Sequence, residues 1–384
     1  MGKKRKLLVI SVSIGSGHVR AAEAIRKTAL RHCPELDVVH LDAMDYVSGA
    51  FRKAYKESYL KIIERHPSLW GYMFSKSDRA EDDDSKMKKV RLAFERLSSR
   101  ALMDEIERVN PDGVLCTHFL PAGLISRKIR KGRMKIPCWV QVTDFDVHGL
   151  WFQHRMDGYF VACEEASWKL EAFGIDPSNI HITGIPIVPP FTMAQDKEAC
   201  AAELGIALEK PTVLMMSGGE GLGDMLTLTE RMLKADPLCQ IIALAGKNED
   251  LFLALTRLSE SSGGRLIPMG FTNTIERMMA VSDIAVTKPG GLTSSECLAM
   301  ALPMIIISPI PGQEERNADY LLEHGAAHKA LDVTSLEHKL KRLMDRPDIM
   351  RGMKEKAGQI ARPDAAAHVL DIVCEALERD ADPS

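Results

Sequence analysis

Three short runs of this chain carry residues that can handle a phosphorylated sugar. The first is Thr287-Lys-Pro-Gly-Gly-Leu-Thr-Ser-Ser-Glu296, followed by Pro309-Ile-Pro-Gly-Gln-Glu314 and Asn317. Gly290 and Gly291 stand where a strand ending at Thr287 turns into a helix. The first N–H groups of a helix have no partner inside it, so an anion can be held there. Glu296 falls within the first turns of that helix. A carboxylate repels phosphate and suits sugar hydroxyls, or it is simply an acid favoured by the helix dipole. An anion site, a hydroxyl-binding carboxylate and a second polar loop together point to a sugar nucleotide.

The second run is Ser217-Gly-Gly-Glu-Gly-Leu-Gly223, straight after an apolar strand. So many glycines exceed the needs of a turn and suit a backbone pressed against a diphosphate; the competing reading is a surface loop. The third is Gly15-Ser-Gly-His18. Gly15 and Gly17 permit a tight turn, and His18 can act as a base, touch a phosphate or cap the helix that follows. Arg20 stands where a dinucleotide fingerprint needs a small residue, and no Walker lysine follows. Neither a nicotinamide nor a P-loop site is therefore expected.

The elements that must position these runs alternate between apolar strands and helical segments, the pattern of parallel α/β sheets. Expected strands are Leu7–Val12, Leu36–Leu41, Gly113–Thr117, Cys138–Thr143, Gly158–Ala162 and Ile180–Thr183 in the first half. In the second half they are Thr212–Met216, Gln240–Leu244, Leu266–Met269, Asp283–Thr287 and Met304–Ser308. Gly184-Ile-Pro-Ile-Val-Pro-Pro190 is a poor strand and a good linker. The reading is two Rossmann-like domains facing a central cleft. The N-terminal domain spans 1–184, the linker 185–195 and the C-terminal domain 196–360, with a last helix over 361–384 that can pack back on the N-terminal domain.

Composition excludes several classes. A chain of 384 residues suits two domains, and 45% hydrophobic residues can fill two cores. A net charge of −3 gives no bulk signal for nucleic acid. The 8 cysteines form no CxxC pair and the 12 histidines no HExxH motif, so neither a disulfide framework nor a metal site is expected. Lys3-Lys-Arg-Lys6 and the short apolar run after it make a basic lead and a buried strand, with no secretory cleavage site. No apolar run reaches membrane-spanning length.

These motifs resemble glycosyltransferase family twenty-eight, of GT-B architecture, in its monogalactosyldiacylglycerol synthase and processive diacylglycerol glucosyltransferase group. The similarity rests on Gly15-Ser-Gly-His18 with Ala21-Ala-Glu-Ala-Ile25, Val142-Thr-Asp-Phe145 with Trp151, Ser217-Gly-Gly-Glu-Gly221, and Thr287-Lys-Pro-Gly-Gly291 through Gln313 and Asn317. It implies a hexosyltransferase moving a hexose from a UDP-sugar to diacylglycerol with inversion, without cofactor or metal. By position, Gly218 and Gly219 resemble diphosphate-loop residues and Phe271 the residue against uracil, and Gly17 and Ser217 belong with the UDP-sugar donor site. Lys288, Gly290, Gly291 and Thr293 resemble the second phosphate wall, and Glu296 the ribose-binding glutamate. Gln313, Glu314 and Asn317 resemble the hexose-recognition loop, and His18 the histidine of the first glycine loop. That loop departs from an all-glycine pattern at Ile14 and Ser16. Asp144, after an apolar strand, is the second candidate for the acceptor base; its competing reading is a turn cap.

An acceptor that lives in a bilayer requires contact with an anionic membrane surface. Phe51–Ile63 is basic and amphipathic, and Pro67–Phe74 gathers Trp70, Tyr72 and Phe74 into a short loop that could enter the interface. The competing reading packs these aromatics into the core. The expected location is the cytoplasm, peripheral on the inner face of the cell membrane. Two other activities fit the same architecture: a UDP-N-acetylglucosamine transferase acting on a lipid-linked precursor, and a UDP-sugar epimerase.

Overall fold

A computed structural model of the chain describes residues 4–50, 52–53, 67–78, 100–216, 225–235 and 238–379. The chain forms two units. Unit 1 comprises Met1–Pro189, Ile310–Arg316 and Arg362–Ser384; unit 2 comprises Pro190–Pro309 and Asn317–Ala361. The chain thus returns to unit 1 twice, once for a seven-residue segment and once for its C-terminal helix.

Unit 1 is built on strands β1 (Arg5–Ser11), β2 (Leu36–Asp42), β3 (Gly113–Cys116), β4 (Cys138–Gln141), β5 (Gly158–Val161) and β6 (Ile180–Ile182). All neighbours pair in parallel, in the order β2-β1-β3-β4-β5-β6. Its first helices are α1 (Ser16–His32), α2 (Pro67–Ser77), α3 (Phe119–Arg130) and α4 (Glu164–Ala172). Strands β3, β4 and β5 are buried at every residue, as a parallel sheet covered on both faces requires.

Unit 2 has β7 (Thr212–Met216), β8 (Gln240–Gly246), β9 (Leu266–Gly270), β10 (Ile284–Thr287), β11 (Met304–Ile307) and β12 (Ala327–Ala330). Read from β9, its order is β9-β8-β7-β10-β11-β12, again all parallel. Its helices are α5 (Lys197–Leu204), α6 (Met225–Ala235), α7 (Glu249–Glu260), α8 (Ile275–Val281), α9 (Gly291–Ala299), α10 (Gln313–Glu323), α11 (Val333–Asp345) and α12 (Pro347–Ile360). Helix α10 starts in the returning segment of unit 1. Helix α13 (Ala365–Arg379) closes the chain in unit 1.

The core of unit 1 explains why α13 belongs there. Ala22, Ile25 and Ala29 of α1 pack with Val369, Leu370, Val373 and Leu377 of α13 over Leu7, Val9, Trp139 and Phe160. Trp139 needs space at sheet level. A Cβ on Gly113 or on Gly158 would stand 2.8 Å from the indole, so both neighbouring strands carry glycine beside it. All eleven expected strands are present, within two residues at their ends. β12 is the addition. Its sequence, AHKA, has no β-branched residue and two polar ones, which an edge strand tolerates and a strand pattern does not reveal. Gly325 (φ 68) ends the helical course before it.

Pro67–Phe74 is a helix, correcting the expected loop: Pro67 opens α2, the position where proline's missing N–H costs nothing. Phe51 and residues 54–66 lie outside the described residues. Among the described residues no helix is long and apolar enough to cross a membrane.

Candidate active site

In an open parallel sheet, ligands bind beyond the carboxyl ends of the strands, at the point where strand order reverses. In unit 1 that point lies between β1 and β3. Beyond β1 the chain turns at Gly15 (φ 84), a left-handed conformation that glycine adopts without a Cβ clash, and enters α1. His18 sits in the first turn. Beyond β3 come Thr117 and His118, the latter capping α3 by accepting at Nδ1 from the Leu120 N–H at 3.1 Å. Both histidines therefore emerge at the switch point.

A pocket opens there. His18, Asp144, Asp146 and Gln313 form its polar edge, and Ile14, Trp70, Phe74, Phe119, Leu150 and Trp151 its apolar wall. His18 Nδ1 lies 2.8 Å from the Thr117 carbonyl and 2.9 Å from Thr143 Oγ1. A carbonyl only accepts, so Nδ1 carries the proton and Nε2 keeps its lone pair. Thr117 Oγ1 donates back to the His18 carbonyl at 3.0 Å, which fixes the turn. The His118 ring meets His18 edge-on, with centroids 4.5 Å apart.

Burial pushes the His18 imidazole down to about 4, against the opposing effect of the Thr117 hydrogen bond. His18 is half-buried and lines the pocket. His118 is held well below its ordinary value by burial and then by His18. Both rings are therefore neutral near pH 7, and the pocket holds an unprotonated imidazole nitrogen in an apolar surround.

The returning segment of unit 1 supplies a further wall. Arg316 donates to Asp78 and to Asp146, each at 2.6 Å, and Lys169 Nζ also reaches Asp146 at 3.0 Å and Asp78 at 3.4 Å. Burial opposes ionisation of Asp78, but the bonds from Arg316 and from the Gly149 N–H outweigh it and hold its carboxyl below the usual range. His148 donates from Nε2 to the Phe74 carbonyl at 2.9 Å and is kept neutral chiefly by burial.

Unit 2 has its own switch point, between β7 and β10. The loop after β7 carries Ser217, Gly218 and Gly219, which lie outside the described residues. Beyond β10 come Lys288, Pro289 and Gly290, and α9 starts at Gly291. Its N-cap is Gly290, which has no side chain to bond the first N–H groups, so among the described residues these can turn to water or a ligand. Lys288, Gly290 and Thr293 are half-buried there, and Glu296 is buried on the second turn. Phe271 follows β9 at the sheet's edge; it is exposed, with Lys247 Nζ 5.1 Å from its ring centre.

The expected residues thus fall into two groups. His18, Asp144 and Gln313 line one pocket in unit 1, with Gly17 in the same turn as His18. Lys288, Gly290, Gly291, Thr293 and Glu296 share the second switch point. Glu314 Oε2 accepts from the Ile310 N–H at 2.7 Å, fastening its own loop, and Asn317 is fully buried in unit 2. The expectation of three membrane-facing aromatics needs correction. Trp70 and Phe74, at i and i+4, are buried in the pocket wall, whereas Tyr72 is exposed together with Leu69. Sequence reasoning missed His118, Asp78, Asp146 and Arg316. Only His118 left a trace, at the end of an expected strand.

Among the described residues, two groups could hold a metal: His32, Cys33 and Asp371, and Cys33, Glu35 and Cys374, each within 4.8 Å. They join the end of α1 to α13, and none lines the pocket.

Two family models match the chain in order. That for monogalactosyldiacylglycerol (MGDG) synthase takes residues 18–187, and that for the glycosyltransferase family 28 C-terminal domain takes residues 212–369. Together they take in most of the chain and both switch points. The chain belongs to glycosyltransferase family 28. This glycosyltransferase is 28% identical over 376 residues to the processive diacylglycerol beta-glucosyltransferase of Bacillus cytotoxicus, covering 98% of this chain and 95% of that one. It is 26% identical over 382 residues to the protein of that name from Bacillus subtilis, covering 98% and 97%. Its fold is shared with MurG of Acinetobacter baumannii (TM-score 0.64, 15% identity, covering 97% and 99%). It is also shared with MnaA of S. aureus, solved with UDP (TM-score 0.65, 12% identity, covering 97% of each). The family 28 assignment agrees with the expectation drawn from the glycine loops.

Proposed function

We propose that this glycosyltransferase moves a hexose, glucose by its relatives' names, from a UDP-sugar to the free hydroxyl of diacylglycerol with inversion. The observation that carries the reading is the unit 1 pocket, where a neutral imidazole stands against an aromatic wall. A lipid alcohol needs both: apolar surface for its glycerol and acyl ends, and a base for its hydroxyl.

In this reading Nε2 of His18 takes the acceptor proton as the hydroxyl oxygen bonds to the anomeric carbon. The bond from that carbon to the UDP oxygen breaks, and the electron pair leaves with UDP. Thr117's carbonyl, already accepting from Nδ1–H, steadies the imidazolium as it forms. Lys288 and the first N–H groups of α9 offset the charge growing on the leaving diphosphate, so no metal or cofactor is required. Glu296 takes the ribose hydroxyls. Gln313 meets the hexose. Asp144 is the alternative base. The test is incorporation of label from UDP-glucose, and separately from UDP-galactose, into an organic-soluble product on added diacylglycerol. Label that stays in the aqueous phase with both donors overturns the reading.

The pH dependence follows from His18. A base must be unprotonated, and this one stays so until the pH falls to about 4. The kcat/KM of the free enzyme should therefore be level from pH 8 to 5 and show no loss centred near 6.5, the ordinary histidine value. An acid limb near 6.5 would contradict His18 as the base in this environment.

An anionic membrane surface is the expected docking partner, and the exposed side of α2 is the face proposed to meet it. Leu69, Tyr72 and Lys76 lie at i, i+3 and i+7, and all are exposed. Apolar burial of two such side chains contributes at ~25 cal/mol per Å². Replacing Leu69 and Tyr72 with serine should reduce sedimentation with anionic liposomes several-fold and leave UDP affinity unchanged. Equal sedimentation of variant and wild type would move the docking surface elsewhere.

A further inference from the structure

We propose that Arg316 is a positioning residue that fixes the acceptor pocket, by tying the helix bearing Gln313 to both α2 and the loop bearing Asp144. The proposal rests on the reading of that pocket as the acceptor site.

Three pieces of chain meet at this guanidinium. Its own helix, α10, carries Gln313 one turn earlier, and both side chains line the pocket. One nitrogen binds Asp146, two residues after Asp144 and also in the pocket lining. The other binds Asp78, directly beyond α2, which carries Trp70 and Phe74. The guanidinium also sits 5.1 Å from the centre of the Phe74 ring. A planar fork can reach two carboxylates and stack at once; an ammonium cannot.

The surrounding packing leaves no slack. Gly312 has φ 91, and a Cβ there would come within 2.6 Å of Phe74; one on Gly71 would come within 2.9 Å of Pro311. Backbone 311–312 therefore lies directly on α2. Lys169 completes the set, so two cations face two carboxylates, all partly buried. Without Arg316, Asp78 and Asp146 share Lys169, and the ion pair from α10 to Asp78 is lost.

The test uses the full-length enzyme with UDP-glucose and diacylglycerol in mixed micelles. Arg316→Gln should raise the diacylglycerol KM and lower kcat/KM about 10–100-fold, the scale of a misplaced pocket wall, with UDP affinity and melting temperature near wild type. Asp78→Asn should give the same pattern, and the double variant should be no worse than the poorer single, because both break one link. Millimolar guanidinium should restore part of the activity of Arg316→Gln and leave that of wild type unchanged. An unchanged diacylglycerol KM, additive losses, or loss explained by unfolding would each overturn the proposal. Failure of wild type to make glycolipid would instead overturn the functional reading beneath it.

Discussion

Replacing His18 with alanine is expected to lower turnover by about 10²–10⁴-fold, the usual contribution of a positioned base, with a far smaller change in UDP affinity. The two effects separate because a base acts mainly in the transition state, whereas a phosphate ligand acts in the ground state as well. His18 is suited to the first role by its surroundings. Nδ1 is occupied by the Thr117 carbonyl, so the tautomer is set, and Nε2 remains to receive a proton. His18→Gln is the useful companion, since its amide can still donate to Thr117 while offering no comparable base. Turnover should fall to a similar extent in both variants. If UDP affinity, read by calorimetry, collapses together with turnover, His18 is a diphosphate ligand, and Asp144 of the same pocket becomes the base.

The second large effect concerns the donor. Glu296→Ala should weaken UDP binding by about 1–3 kcal/mol, the range for hydrogen bonds to a charged group, or roughly 5- to 150-fold in Kd. The carboxylate is buried on the second turn of α9, behind the uncapped N–H groups that follow Gly290. The proposed contact is with the hydroxyls beside the anion, since a carboxylate would repel the anion itself. Loss of affinity for UDP with little change for inorganic diphosphate would assign the contact to the ribose. Equal affinity of variant and wild type for UDP would remove Glu296 from the donor site.

Most of the fold was legible because parallel strands announce themselves. Leu7–Ile10 and Met304–Ile307 are continuous apolar runs, buried on both faces, and glycine turns follow their carboxyl ends. β12 was not legible, because its two adjacent polar residues between alanines neither alternate nor include a β-branched side chain. The site was partly legible for the same reason as the fold. His18 and Glu296 follow strand ends, where ligands gather, so local sequence suffices to single them out. Arg316 pairs with Asp146 and Asp78 at separations of 170 and 238 residues, and no spacing rule reaches that far. The α2 aromatics were legible as a cluster but not in direction. Only the helical period, with Trp70 and Phe74 on one side and Leu69 and Tyr72 on the other, separates a pocket wall from an exposed face.

The central claim is inverting transfer to a lipid hydroxyl, and the product's anomeric centre tests it most directly. Purified enzyme, diacylglycerol and α-linked UDP-glucose should yield a glycolipid whose anomeric proton shows, by nuclear magnetic resonance, the large coupling of a β-glucoside on the glycerol oxygen. An α-glucoside, or an altered sugar still joined to UDP with the diacylglycerol untouched, would contradict the account.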